Sequence, residues 1–426
     1  MNLRSLRFAA CLSAALGVLA IGRPLLADRA SDEKPIAVTG AAAPGMTALD
    51  EMMTALVRKW KIPGGALAVV KDGRLVFAHG YGLADREDGK PVQPDSLFRI
   101  ASVTKPITAT AILVLVERGQ LDLDAKVLDI LKPPVVSQAK VSDKRWKQIT
   151  VRQLLFHTAG FDRDTGFDPM FRSDEIAKAT GTPPPADSTA IIHYMLGRPL
   201  DFDPGAKHVY SNFGYCLLGR VIEQVTGKKY AEAVQDLVLR RAGITRMRIG
   251  RTRLSGQLPG EVRYYTPDDD KCNSVFPDVR KPVPWPYGGF YLEAMDSHGA
   301  WVASAIDLVR FAATVGGSRK PGLLKPETMR LIESRPPPPM PADAPAYYGL
   351  GWSIRPVGRG ANWWHNGSLP GTMSLLVRTH HGFAWAVVFN LRPADDGRFL
   401  GELDGAIWNA VGRVSKWPEG DLFTRY

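Results

Sequence analysis

The sequence predicts an α/β fold of the segregated α+β kind. One antiparallel β-sheet is built from both ends of the chain and flanked by helices, with a mostly helical domain inserted between its strands. Three observations carry this. Two short apolar runs, 65–70 and 74–79, flank Lys71-Asp72-Gly73, a hairpin signal. Strand-like runs return only near the other end, at 350–354, 363–366, 372–379 and 383–390, the last two joined at His380-His381-Gly382. Between these groups the apolar periodicity is helical, and no internal repeat interrupts it.

Taken in order, residues 1–27 read as a cleavable signal peptide. Arg4 and Arg7 form its positive start, 8–21 its apolar stretch, and Leu25-Leu26-Ala27 ends on a small residue. The apolar stretch is too short to span a bilayer, so no stable membrane span is expected after cleavage. Residues 28–45 are small, charged and proline-containing, a linker. One large domain is expected over 46–415, with the helical insertion at about 120–300, and a C-terminal tail over 416–426. Helical periodicity covers 46–60. A strongly apolar helix follows Ser102 and ends near Gly119. The next, 151–156, stops at His157-Thr158-Ala159-Gly160. Residues 162–190 are rich in Asp, Thr, Gly and Pro and read as loops with a helical turn. The 212–226 segment is a helix closed by Gly227. Residues 250–298 show little periodicity. Ser304 and Asp307 form a capping box. Residues 335–346 are a proline-rich surface excursion, and 399–414 closes the chain as an amphipathic helix.

The chain is 45 % hydrophobic and 23 % charged, an ordinary globular composition. Cleavage after Ala27 removes three arginines and no acids from a formal net charge of +11. The remaining mild basic excess suits a protein living among anionic envelope polymers, in the periplasm or secreted. No Lys/Arg run with interleaved aromatics points to nucleic acid. Cys216 and Cys272 remain after cleavage, as one disulfide or as two unpaired thiols. The apolar run around Cys216 favours a buried thiol.

Chemistry concentrates in three short motifs. In Ser102-Val103-Thr104-Lys105, serine and lysine lie three residues apart, on one face of a helix. A serine hydroxyl is a poor nucleophile until a neighbour takes its proton, and a lysine in a partly dry site can do so. Pro106 belongs near the start of a helix, which puts Ser102 at or just before the first turn. Such a tetrad arises by chance in most chains of this length, so its weight comes from the two motifs that accompany it. Tyr210-Ser211-Asn212 supplies a phenol that can relay a proton if nearby cations lower its pKa, and an amide that can hold a substrate amide and orient the lysine. Read alone, Tyr210 is a loop aromatic and Asn212 an N-cap. His365-Asn366-Gly367-Ser368 sits at a strand end, where Gly367 admits a close backbone or a ligand and the Ser368 N–H can join that of Ser102 as an oxyanion hole. The eight histidines show no metal-ligating spacing, so neither metal nor cofactor is expected. No G-x-S-x-G elbow exists.

The order S-x-x-K, Y-x-N, H-x-G resembles the serine β-lactamase and penicillin-binding-protein superfamily, and within it the class C β-lactamase-related branch of DD-peptidases, D-aminopeptidases and esterases. Leu154 to Gly160 is similar to that branch's L-L-x-H-T-S-G, and Tyr210 to Gly227 matches it nearly residue for residue. Residues 300–311 and Tyr348 to Trp352 are similar to its later helix and Y-G-L-G-W strand. The resemblance spans about residues 46–415 and implies a β-lactamase/transpeptidase-like fold. It implies Ser102 as the acylated nucleophile, Lys105 and Tyr210 as base and acid, and Asn212 on the substrate amide. His365, Gly367 and Ser368 would line the substrate, and His157 matches a position that is usually structural.

One departure stands out. Efficient β-lactamases and carboxypeptidases carry lysine where this chain has His365. A histidine is only partly charged near neutral pH, so carboxylate recognition weakens, to be restored by protonation near pH 6. The expected function is an exported serine hydrolase cleaving an ester or amide bond, with esterase, D-amino-acid peptidase or β-lactamase activity, through a Ser102 acyl-enzyme. The alternative is a non-catalytic penicillin-recognising or cell-wall-binding protein of the same fold.

Overall fold

The computed structural model describes residues 35–136, 141–336 and 343–426. The expected signal peptide lies outside the described residues. The first hairpin forms where Lys71-Asp72-Gly73 predicts it. Asp72 and Gly73 take φ of 49° and 77°, the left-handed pair that a tight turn between twisted strands requires. The strands it joins are Gly64–Lys71 and Arg74–Asp85.

The two ends of the chain meet in one sheet. Its strands lie in the order Val38–Gly40, Arg74–Asp85, Gly64–Lys71, Phe383–Phe389, Thr372–Arg378, Gly360–Leu369, Ser353–Val357, Tyr347–Tyr348, and each neighbouring pair is antiparallel. The join between the ends is Gly64–Lys71 on Phe383–Phe389, with Leu67 opposite Val387 and Val69 opposite Trp385. Both faces are covered, which is why these strands read as continuous apolar runs. Alternation still sorts the residues by size. Leu67, Val69, Trp385 and Val387 face helices Thr47–Lys59 and Asp396–Arg413. Ala66, Ala68, Ala384 and Ala386 point the other way, and their small side chains let helix Ala305–Val315 lie close on the sheet. That helix starts with the predicted capping box between Ser304 and Asp307.

Several segments differ from the sequence expectation. Val38–Gly40, inside the stretch expected as linker, is a strand too short for alternation to reveal. Phe423, inside the stretch expected as tail, is buried, and the Asp421 carboxylate accepts from Leu75 N at 3.0 Å. Residues 162–190, expected as loop with a helical turn, hold helix Ser173–Thr180 and the start of Ser188–Leu196. Caps and prolines fill most of that segment and mask its short apolar faces. The strand expected at 350–354 is Ser353–Val357. Gly351, at φ 85°, turns the chain just before it, and Leu350 and Trp352 are buried in that turn. Between residues 120 and 300 helices and turns dominate, with helix Asn212–Thr226 closed by Gly227 as expected. Cys216 and Cys272 are free thiols, and burial pushes that of Cys216 up to about 12. Among the described residues no helix is long and apolar enough to cross a membrane.

Candidate active site

The approach to Ser102 is fastened from three sides. Strand Phe98–Arg99 pairs with Trp301–Ala303. Thr372 Oγ1 donates to Arg99 O and Ser374 Oγ to Ile100 O, both at 2.7 Å. Gly367 lies opposite Ser374 on the neighbouring strand, where a Cβ would fall 2.2 Å from Ile100 O and 2.3 Å from Ser374 Oγ. Gly367 therefore admits another backbone, not a ligand. Ala101 is then turned to φ 46°, a left-handed conformation that costs a non-glycine residue about 1–2 kcal/mol. A single 3₁₀ turn, Ala101–Val103, carries Ser102 to the start of helix Thr104–Glu117. Pro106 is its third residue, where no intrahelical N–H is missed.

Lys105 is fully buried one turn beyond Ser102. Its Nζ lies 3.1 Å from Ser102 Oγ, 2.7 Å from Asn212 Oδ1 and 3.2 Å from the His298 carbonyl. Burial holds the amine well below the usual lysine range; Asp168 opposes this and Arg163 adds to it. The positive end of its own helix disfavours the ammonium further. An amine whose proton affinity is lowered this way, beside a hydroxyl, can take the hydroxyl proton.

Tyr210 and Asn212 arrive on the loop and first turn of helix Asn212–Thr226, which Ser211 caps by accepting from Gly214 N. Lys105 Nζ sits 4.6 Å from the Tyr210 ring centroid. The phenol departs from the sequence expectation. Burial pushes its pKa up, and a hydrogen bond with Ser102 and the Arg163 charge only partly offset that. Tyr210 therefore keeps its proton at rest. Asn212 Nδ2 donates to Asp168 Oδ2 at 2.6 Å. His157 braces this corner: its ring lies 4.4 Å from that of Tyr210, and its Nδ1 accepts from Ser211 N at 3.1 Å.

His365 also differs from expectation. Its Nδ1 lies 2.7 Å from Asn366 O. A carbonyl only accepts, so Nδ1 carries the proton and Nε2 is the acceptor. Nε2 then accepts a hydrogen bond from the Tyr348 hydroxyl at 2.9 Å. Both nitrogens are satisfied inside the protein. Burial lowers the imidazole to about 3. It stays neutral at pH 6 as at pH 8, so the expected restoration of charge near pH 6 does not occur. Ser368 Oγ donates to Asp396 Oδ2 at 3.0 Å, and Ser368 lines the cleft opening.

Ser102, Tyr210, Asn212, His365 and Ser368 all line one cleft of about 820 Å³. Its rim carries Phe171 and Trp285, each more than a third exposed. Arg163, Arg172 and Arg392 line it together with Asp164, Glu175 and Asp396, so its charges balance.

A family model described as Beta-lactamase matches residues 49–406. The chain belongs to the beta-lactamase family. It is 34 % identical to Esterase EstB of Burkholderia gladioli over 202 residues, 46 % of this chain and 49 % of that protein. With Penicillin-binding protein 4* of Bacillus subtilis it shares 26 % identity over 341 residues, 78 % of this chain and 68 % of that one. The chain thus spans about half the length of the esterase it matches. The octameric penicillin-binding protein homologue from Pyrococcus abyssi superposes with a TM-score of 0.66 at 23 % identity, covering 85 % of this chain and 77 % of that chain. A D-amino acid amidase from Ochrobactrum anthropi SV3 gives 0.64 at 22 %, over 86 % and 99 %. Both likenesses establish the beta-lactamase family's fold here.

Sequence reasoning missed four contributors to the site. Asp168 left a faint trace, since an Asp before Pro169 caps a turn. Tyr348 lies in the Y-G-L-G-W stretch but carried no role. Ala101 gives no sign of its left-handed backbone. His298 contributes its carbonyl, which no side-chain pattern reveals.

Proposed function

We propose that the protein is an exported serine hydrolase that cleaves a neutral ester or amide through an acyl-enzyme on Ser102. The observation that carries this is the 3.1 Å contact from Lys105 Nζ to Ser102 Oγ, with burial lowering the lysine's hold on its proton. Lys105 takes the hydroxyl proton as Ser102 Oγ attacks the carbonyl carbon. Tyr210, which burial keeps protonated, gives its proton to the leaving oxygen or nitrogen and recovers one from Lys105. Water then attacks the acyl-enzyme by the same groups in reverse. The main-chain N–H groups of Ser102 and Ser368 hold the oxyanion, and Asn212 orients the lysine.

Three features favour an uncharged substrate. His365 offers neither charge nor a free N–H. The cleft arginines are matched one for one by carboxylates, and Arg172 pairs with Glu175 at 2.6 Å. An esterase and a D-amino acid amidase stand among the proteins the chain resembles. Export rests on the charged and apolar pattern of residues 1–27. The test is a substrate panel of p-nitrophenyl esters, nitrocefin and D-Ala-D-Ala peptides, each with wild type and Ser102→Ala. Turnover of the esters that vanishes in Ser102→Ala supports the proposal. Stoichiometric binding of penicillin without turnover of any substrate contradicts it.

A further inference from the structure

Asn212 bridges two ionisable side chains. Its Oδ1 faces Lys105 Nζ at 2.7 Å, and its Nδ2 donates to Asp168 Oδ2 at 2.6 Å. The two ends of a carboxamide are nearly alike in shape, so partners decide which way it points. A neutral lysine amine does not decide, because it both donates and accepts. A carboxylate does: it only accepts, so the end facing it is the N–H end. Asp168 is itself held in place. Its Oδ1 accepts from Met170 N at 3.1 Å, capping the Pro169–Phe171 turn, and its side chain is 15 % exposed.

We propose that Asp168 is a positioning residue for the base: through Asn212 it keeps an oxygen against Lys105 Nζ, and its charge sets how tightly the lysine holds a proton. The inference rests on reading Ser102 as nucleophile and Lys105 as base. Were the carboxamide reversed, its N–H would donate into the lysine lone pair, the pair that must take the Ser102 proton. The charge argument rests on the surroundings. Tyr210 and Tyr215 present their rings to Nζ at 4.6 and 5.6 Å. His298 presents its carbonyl. His157, His298 and His365 are all kept neutral by burial. Arg163, 3.9 Å from Asp168, acts with the opposite sign. Asp168 is the carboxylate of this set, and it raises the proton affinity of Lys105.

Two substitutions separate charge from orientation. Asp168→Asn keeps an acceptor for Asn212 Nδ2 and removes the charge; Asp168→Ala removes both. With p-nitrophenyl butyrate, kcat/KM rises with pH as Lys105 loses its proton. In Asp168→Asn that acid limb should move to lower pH by about 1 unit, the scale of one neighbouring opposite charge. Asp168→Ala should lose about tenfold in kcat with little change in KM, as when the outer partner of a reacting group is removed. A purely structural role would lower the melting temperature and leave the limb in place. An unmoved limb in Asp168→Asn overturns the charge claim, and an unchanged kcat in Asp168→Ala overturns the orientation claim. The titration of Lys105 itself reads the same shift without turnover, by NMR of lysine carbon-13 labelled at Cε, with Lys105→Arg for assignment. If Ser102→Ala hydrolyses the ester as fast as wild type, the functional reading falls, and the NMR titration still decides for or against Asp168.

Discussion

Gly367→Ala is the smallest change that should disable the site without touching a reacting group. The added methyl would sit 2.2 Å from Ile100 O, 2.3 Å from Ser374 Oγ and 3.1 Å from Ala101 Cβ. Restoring a 3.4 Å contact to the Ile100 oxygen requires a displacement of about 1.2 Å. That displacement falls on the segment whose next residues are Ala101 and Ser102. Overpacking of this kind costs about 1–3 kcal/mol. A misplacement near 1 Å at a reacting centre costs about 10² in rate. The expected result is therefore a melting temperature lowered by a few degrees and kcat/KM for p-nitrophenyl butyrate lowered about a hundredfold, with circular dichroism unchanged. Ser374→Ala in the same background should not rescue activity. It clears one clash and leaves the Ile100 carbonyl, which is main chain and has nowhere to go. A Gly367→Ala enzyme with wild-type kcat/KM would refute the reasoning, because it would mean that strand Gly360–Leu369 can back away from Ile100 without moving Ser102.

The buried imidazoles and the proton relay have their own expected outcomes. Because His365 stays neutral, the ratio of ester to penicillin kcat/KM should be the same at pH 6 and pH 8; a ratio that falls towards pH 6 contradicts its neutrality. The folded value of His365, about 3, lies below its ordinary 6.5, so the unfolded chain binds this proton first. Stability from this group is complete above about pH 6.5 and falls as the pH drops towards 3, by about 1.4 kcal/mol per pH unit. Urea unfolding at pH 5, 6 and 7 should show a slope in stability that is shallower by one proton in His365→Gln. Lys105→Ala and Tyr210→Phe should each lower kcat by at least ~10², and their combination should lose far less than the product, since the two act as one unit. A Tyr210→Phe enzyme with near-normal turnover would take the phenol out of the mechanism.

Much of this was legible in the sequence because it depends on local pattern. The Lys71-Asp72-Gly73 turn, the Ser304 capping box and the glycine stop at Gly227 each need only a few adjacent residues. The S-x-x-K and Y-x-N spacings place Ser102, Lys105 and Asn212 at helix starts, and the structure brings them within hydrogen-bond reach. What stayed hidden depends on long-range contact. The neutrality of His365 comes from burial, not from its own motif. The motif around Gly367 allows either a backbone or a ligand to approach, and only the packing of Ile100 decides between them. The Val38–Gly40 strand is legible only beside its partner, because three residues carry no periodicity. Asp168 acts through Asn212, across 44 residues of chain.

The central claim is that Ser102 becomes acylated because Lys105 takes its proton. Intact-mass analysis after treatment with a fluorophosphonate probe tests it most directly. One adduct per molecule, mapped by peptide sequencing to Ser102, is the predicted result, with no adduct in Ser102→Ala and strongly slowed labelling in Lys105→Ala. Equal labelling of wild type and Ser102→Ala would contradict the account.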